Sequence, residues 1–551
     1  MELIKKTGGK LQKSGKSARP SKAGARHIGS RTAAECVPLK TMISLLRTFG
    51  TFSLVLLLFS CGPRAEQRSR LGTVNLEVTG SAEALPHFER GLLLLHSFEY
   101  TDAGEAFAKA AAADPEMPMA FWGLAMCQNF PIWHYENYEE GRAYADSSRM
   151  MKSDISELEE DLIRATDILF SRDTEKEERD AAYSAHMKRL YGKYPNSDDV
   201  AAFYALSVLG TVKEARDYAR YEEAAQIART VIDRNPQHPG ALHYYIHAYD
   251  DPHKAHLALD EAYAYAKTAP DAAHALHMPS HIFLPLGLWE ELIASNVDAW
   301  QASVDRRRRK NLDRSALDYH SLHWLQYGYL QTGKADSAAA IALRMQAYTD
   351  SLPARRARNH MVYIQATYCA ETDDYTGPIA QIETDLDGLE LTSRAQYRHV
   401  QGMRAFRQKD AEALREAART IESECRLESL FLDTADFKIC IDMNREMPRQ
   451  IDIDRSTVMA MQLRAKEALL EGDTALAEKR LREVCEFECS LDLFYGPPQI
   501  RKPSPELLGD RLREQGRFAE AAEYYKTALE RAPGRYRPAA ALRDIDSRIP
   551  S

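Results

Sequence analysis

The sequence predicts an all-α, superhelical solenoid of antiparallel helix pairs. Three observations lead there. Two His-x-x-x-His pairs, His243/His247 and His277/His281, recur 34 residues apart, the period of a helix–turn–helix repeat. A signature of small residue, turn, alanine-rich helix and closing proline returns along the chain. Strand-type alternation is almost absent.

In chain order, the stretch from Ala84 to Pro115 reads as the first helical hairpin. Gly91 allows close helix contact, Ala103, Phe107 and Ala110 face the core, and Asp114-Pro115 closes the unit because proline cannot continue a helix. Ala224 with Asn235-Pro236, and Ala258 with Ala269-Pro270, repeat the pattern. Repeats beginning near Ala205, Pro239 and Ala273 share one register. Later ones align on Tyr319, Asn359, Ala395, Val458 and Lys502, with turns at Gly333, Tyr375, Gly472 and Gly516. The last, "LLGDRLREQGRFAEAAEYYKTALERAP", carries Gly509, Gly516, Phe518, Ala521, Tyr525, Ala528 and Pro533. Regions 128–200 and 425–457 fit poorly and are expected to hold longer helices or insertions.

These anchors resemble the tetratricopeptide repeat, over about Ala84 to Ile549. More narrowly, "HPGALHYYIHAYDDP", "HALHMPSHIFLPLG" and "YGPPQIRKPSPE" are similar to a recurrent bacterial subfamily of such proteins. That resemblance implies the fold and says little about chemistry. The expected organisation is a basic extension and signal peptide (1–60), a polar linker (61–81), N-terminal repeats with an insertion (82–200), central repeats (201–350) and C-terminal repeats (351–551).

Residues 1–60 carry eleven Lys/Arg against Glu2 and Glu35, a net of +9. The total is −9, so the remainder is near −18. An acidic body is poorly suited to nucleic acid. From Met42 the chain reads "MISLLRTFGTFSLVLLLFSCG", with an apolar run too short to span a bilayer. Leu58-Phe59-Ser60-Cys61 resembles a bacterial lipobox. The resemblance implies cleavage before Cys61, lipidation of its thiol and a tether to the cell envelope; an uncleaved signal anchor is the alternative. Met42 is the expected true start. The remaining Cys127, Cys369, Cys425, Cys440, Cys485 and Cys489 show no structural zinc spacing and read as a reduced, buried set.

Residues four apart share a helix face, so the histidine pairs stack into a ladder. In repeat numbering His243, His277, His323 and His399 fall at position five, His247 and His281 at nine, and His274, His320 and His360 at two. That stripe lies about 110° from the core stripe and in the resembled proteins lines the concave groove. Groove candidates are therefore His243, His247, Asp250, His277, His281, His320 and His323. Three roles are open: mutual hydrogen bonding that rigidifies the helices, metal ligation by His243, His247, His277 and His281, or recognition of an anionic partner by protonated imidazoles. No Glu follows the first His of either pair, so the zinc-protease pattern is missing, and Pro279 is expected to kink the helix and spoil the second pair's geometry. "RRRRK" (306–310) reads as a solvated helix face or linker, with Asp305 and Asp313 as possible partners. Trp122, Trp133, Trp289 and Trp324 read as core or groove-wall residues. No phosphate loop or nucleophile elbow occurs, and no cofactor is called for beyond a possible metal ion. The sequence reading is thus a lipid-tethered scaffold for a protein or peptide partner, the alternative being metal binding or metal-dependent activity at the same histidines.

Overall fold

The computed structural model describes residues 70–151, 154–212, 216–433, 449–493 and 496–548. The basic stretch, Cys61 and Cys440 lie outside the described residues. The N-terminal helices are α1 (Leu85–His96), α2 (Tyr100–Ala113), α3 (Pro118–Met126), α4 (Tyr138–Met150), α5 (Glu157–Leu169), α6 (Lys176–Lys193), α7 (Asp198–Gly210) and α8 (Tyr218–Arg234). The centre holds α9 (Pro239–Tyr249), α10 (Leu259–Thr268), the short α11 (Ala273–His277) and α12 (Ser280–Phe283), α13 (Trp289–Lys310), α14 (Tyr319–Gln331) and α15 (Ala335–Ser351). The C-terminal part is α16 (Arg355–Thr372), α17 (Leu391–Gln408), α18 (Ala411–Asp433), α19 (Gln450–Leu470), α20 (Thr474–Ser490), α21 (Ser504–Glu514), α22 (Phe518–Arg531) and α23 (Tyr536–Arg548). Consecutive helices pack against each other as hairpins, and the fold is an all-α solenoid of helix pairs. Among the described residues no helix is long and apolar enough to cross a membrane.

The turn glycines do what their spacing implies. Gly333, Gly472 and Gly516 adopt φ of 73°, 83° and 76°, a left-handed conformation that reverses the chain without a Cβ penalty. Gly91 and Gly123 form the notch that receives the Phe107 ring: a Cβ on either would lie 2.7 or 2.4 Å from it. Apolar clusters then follow one another along the array, from Leu71 through Tyr327 to Ile545. One departure is the start expected near Ala205, which falls inside α7; Ser197 accepts the Val200 N–H and starts that helix seven residues earlier. The poorly fitting region contains a small antiparallel hairpin, β1 (Asn129–Phe130) and β2 (Tyr135–Glu136), with Asn129 opposite Glu136 and Phe130 opposite Tyr135.

Two further features depart from a simple open array. The second half of the expected linker is an extended strap rather than a spacer. Its backbone and side chains bond to a series of inter-helix turns and first helical turns: Arg70 N–H to Asp271 (2.8 Å), Thr73 N–H to the Gln237 carbonyl (2.9 Å), Asn75 to Asp198 (3.2 Å), Thr79 N–H to Glu159 (2.7 Å) and Ser81 N–H to Asp114 (2.7 Å). The array also closes on itself. The basic run 306–310 is the end of α13, not a linker, and Arg306 and Lys310 reach back some 200 residues to Asp102 of α2, at 2.8 and 2.9 Å. Lys310 also meets Glu105 at 2.7 Å. Of the partners expected for this run, Asp305 pairs with Arg308 at 3.4 Å, while Asp313 caps its own turn at Ser315. At the other end, Arg535 joins Glu371 and Glu506, and Trp289 Nε1 donates to the Gly534 carbonyl. The described cysteines Cys127, Cys369, Cys425, Cys485 and Cys489 are free thiols.

Candidate functional site

The motif preceding the first histidine pair builds its own surroundings. His238 caps α9, its Nδ1 accepting the Ala241 N–H at 3.1 Å. Pro239 occupies the first helical turn, where a missing N–H costs nothing. Gly240 leaves room for the His96 ring, which a Cβ there would approach to 2.3 Å. The next turns present His243 and His247. His243 Nδ1–H donates to the carbonyl of His96 at 2.8 Å, which fixes its tautomer and leaves Nε2 bare. His247 Nε2 and His274 Nε2 both approach that atom, at 3.1 and 3.2 Å.

The second pair forms an equivalent group. Pro279 does divide the helix into α11 and α12, yet the expected spoiling of geometry does not occur. Met278 and Pro279 hold αR backbone values, so the chain keeps a helical course across the break. His277 Nε2 lies 3.2 Å from His281 Nε2, and the His320 ring stands 4.6 Å from that of His277. Asn296 donates through Nδ2 to Ser280 Oγ and to the Leu292 carbonyl, so its Oδ1 accepts from His277 Nδ1–H at 2.7 Å. His281 Nδ1 is bonded to Asp250 Oδ2 at 2.5 Å. Rings of the two groups adjoin: His247 and His281 are 5.8 Å apart by centroid, His274 and His277 6.2 Å.

Aromatic rings enclose both groups. Phe98 lies 4.3 Å from His243 and 5.7 Å from His274, held there by a left-handed backbone (φ 55°) that bulky residues rarely adopt. Trp324 packs on His281 at 4.5 Å and on His277 at 5.0 Å. Behind Trp324 sits Gly496, where a Cβ would come within 2.4 Å of the indole. The three sequence motifs thus converge on one place. The candidates therefore separate. His243, His247, His277, His281 and His320 come together, with Asp250 bonded to His281. His323 bonds Thr367 Oγ1 at 2.9 Å and stands outside, as does His399, buried near Gln462. His274 belongs to the first group although the sequence places it on the stripe without making it a groove candidate. Trp324, read from the sequence as core or groove wall, packs on the second group; Asn296 and Phe98 were not legible as site residues, because asparagine and phenylalanine in helical hairpins carry no periodic signal of their own.

The stripe is not an open groove. The end of α1 folds over the first group, and His243 and His277 are buried, while His320 stays exposed at the mouth. Burial and mutual repulsion hold His243, His247 and His274 well below the usual imidazole range, and burial takes His281 down to about 3. Neutral rings are poor anion receptors, which weighs against recognition by protonated histidines. Burial likewise lowers His96, His277 and His399 to about 4. Between pH 6.5 and 4 the unfolded chain then binds protons that the folded chain refuses, so stability is full above 6.5 and declines as the pH falls. Thermal unfolding from pH 7.5 to 4 should show a steadily falling midpoint below 6.5; a flat profile contradicts buried neutral imidazoles.

The sequence matches no family model and no curated protein. Among solved structures it is similar to yeast Tom70 at 9% identity, covering 84% of this chain and 88% of that one with a TM-score of 0.32. A human IFIT1 dimer with m7Gppp-AAAA gives 14% identity, 82% and 95% coverage and 0.33. The P58(IPK) TPR domain gives 15%, 79% and 99%, and 0.21. The repeat class of this chain rests on its own helix pairs.

Proposed function

We propose that the chain is an envelope-tethered scaffold that docks a protein or peptide partner at the rim of the histidine cluster. The observation that carries this is an exposed aromatic pair beside the site. Trp133 and Tyr135, on the β1–β2 hairpin, are 54% and 50% exposed. The Trp133 ring stands 5.5 Å from Phe98 and 6.5 Å from His274. Large exposed aromatics grouped at a cleft mark interaction sites more often than isolated ones do, and solenoids present long surfaces for such contacts. The tether rests on the lipobox-like run ending at Cys61. Photo-crosslinking in the native envelope from a probe at Tyr135 should recover one defined partner, and Trp133→Ala should reduce that product at least about tenfold, the scale of one hot-spot side chain. An unchanged product removes the rim from the reading. Cys61→Ser should move the protein from the membrane to the soluble fraction, and continued retention would speak for an uncleaved anchor.

A further inference from the structure

The geometry points to a pair of adjacent three-imidazole metal sites, His243–His247–His274 and His277–His281–His320, each suited to a copper- or zinc-type ion. This goes beyond the scaffold reading and stands or falls without it. Within each trio the ligand nitrogens all lie within 4.8 Å of one another. The close Nε2 pairs, at 3.1, 3.2 and 3.2 Å, match the edge of a tetrahedral shell. Metal–nitrogen bonds of about 2.0–2.1 Å place neighbouring ligands about 3.3 Å apart. The remaining, longer edges involve His274 and His320, the partly exposed and exposed members.

Hydrogen bonding supports the same assignment. His243 and His277 each commit Nδ1–H to a fixed acceptor, the His96 carbonyl and Asn296 Oδ1. Their Nε2 lone pairs therefore point at other imidazole nitrogens. His281 Nδ1 is bonded to Asp250 Oδ2, and its Nε2 faces the bare Nε2 lone pair of His277 across 3.2 Å, a gap that one proton or a cation fills. A carbonyl, an amide oxygen and a carboxylate behind ligand histidines are the supports that orient rings on metal ions and raise their basicity. Ligand type narrows the ion: imidazole suits copper and zinc, whereas calcium and magnesium require oxygen shells. Three protein ligands leave the fourth position of a tetrahedral shell open. The other buried group, His96–Asp199–His238, differs. Its members are at most 1% exposed, His96 is bonded through both nitrogens and His238 Nδ1 caps α9; it is a folded-in polar network.

The test uses the full chain, stripped with chelator, loaded with Zn(II), desalted and assayed for metal per chain. Two equivalents are expected. The double variants His247→Ala/His274→Ala and His281→Ala/His320→Ala should each keep one, and Asn296→Leu should weaken zinc binding about 10–100-fold at the second site only. One equivalent or none on natively folded wild-type chain overturns the pair, as does full loading of both double variants. Should a variant lose its helical circular dichroism, zinc-edge absorption of wild type decides. An all-nitrogen imidazole shell is expected, and a sulfur shell at about 2.3 Å would move the metal to cysteine and overturn the assignment.

Discussion

Replacing Arg535 with alanine should destabilise the protein by about 3–5 kcal/mol, the cost of leaving buried charges without their partner. Arg535 is fully buried. It meets Glu506 Oε2 at 2.7 Å and Glu371 Oε1 at 2.5 Å, and donates to the Arg501 carbonyl and the Tyr327 hydroxyl. Glu506 retains Lys502 at 2.5 Å, but Glu371 loses its closest cation. Because α14, α16 and α21 all contribute to this knot, the loss should appear as release of the C-terminal repeats. Chemical unfolding followed by circular dichroism, with limited proteolysis near Gly534, measures both. A loss below about 1 kcal/mol would mean that the two glutamates find water without unfolding, contrary to their burial.

Phe107→Ala should cost a comparable 3–5 kcal/mol, the range for removing a buried phenylalanine. The ring is fully buried between Gly91 and Gly123 and packs on Phe88 at 5.4 Å between centroids. Neither glycine has a side chain with which to fill the void. Phe107→Leu should lose less because it keeps most of the volume. Thermal or urea unfolding checks the order; equal losses for the two variants would contradict the fit of ring to notch.

Phe107 and Gly91 also show how much of the fold the sequence made legible. Helix-face spacing and turn glycines are local signals, and they identified the hairpins, the left-handed Gly333, Gly472 and Gly516, and the shared face of each histidine pair. What failed to show was non-local. Arg306 and Lys310 looked solvated because Asp102 and Glu105 are two hundred residues away. The coverage of the histidines by Phe98 was hidden for the same reason, so a stripe that reads as an open groove is a partly enclosed cluster. At Pro279 the local rule misleads: a proline ends a hydrogen-bond ladder, but it fits the start of the next helix and keeps the chain's direction.

The strap from Arg70 to Ser81 has a mechanical consequence. A solenoid stabilised only by neighbours yields from either end, one repeat at a time. Here a single extended segment crosses the helix ends at Asp271, Gln237, Asp198, Glu159 and Asp114, running against the order of the repeats. Tension applied at the N-terminus reaches the central repeats first, at Asp271, and peels toward the first hairpin stitch by stitch. Each stitch is a separate short-range bond, so the load is met in succession and not shared. The earliest release lies beside α11, the helix that carries His274 and His277.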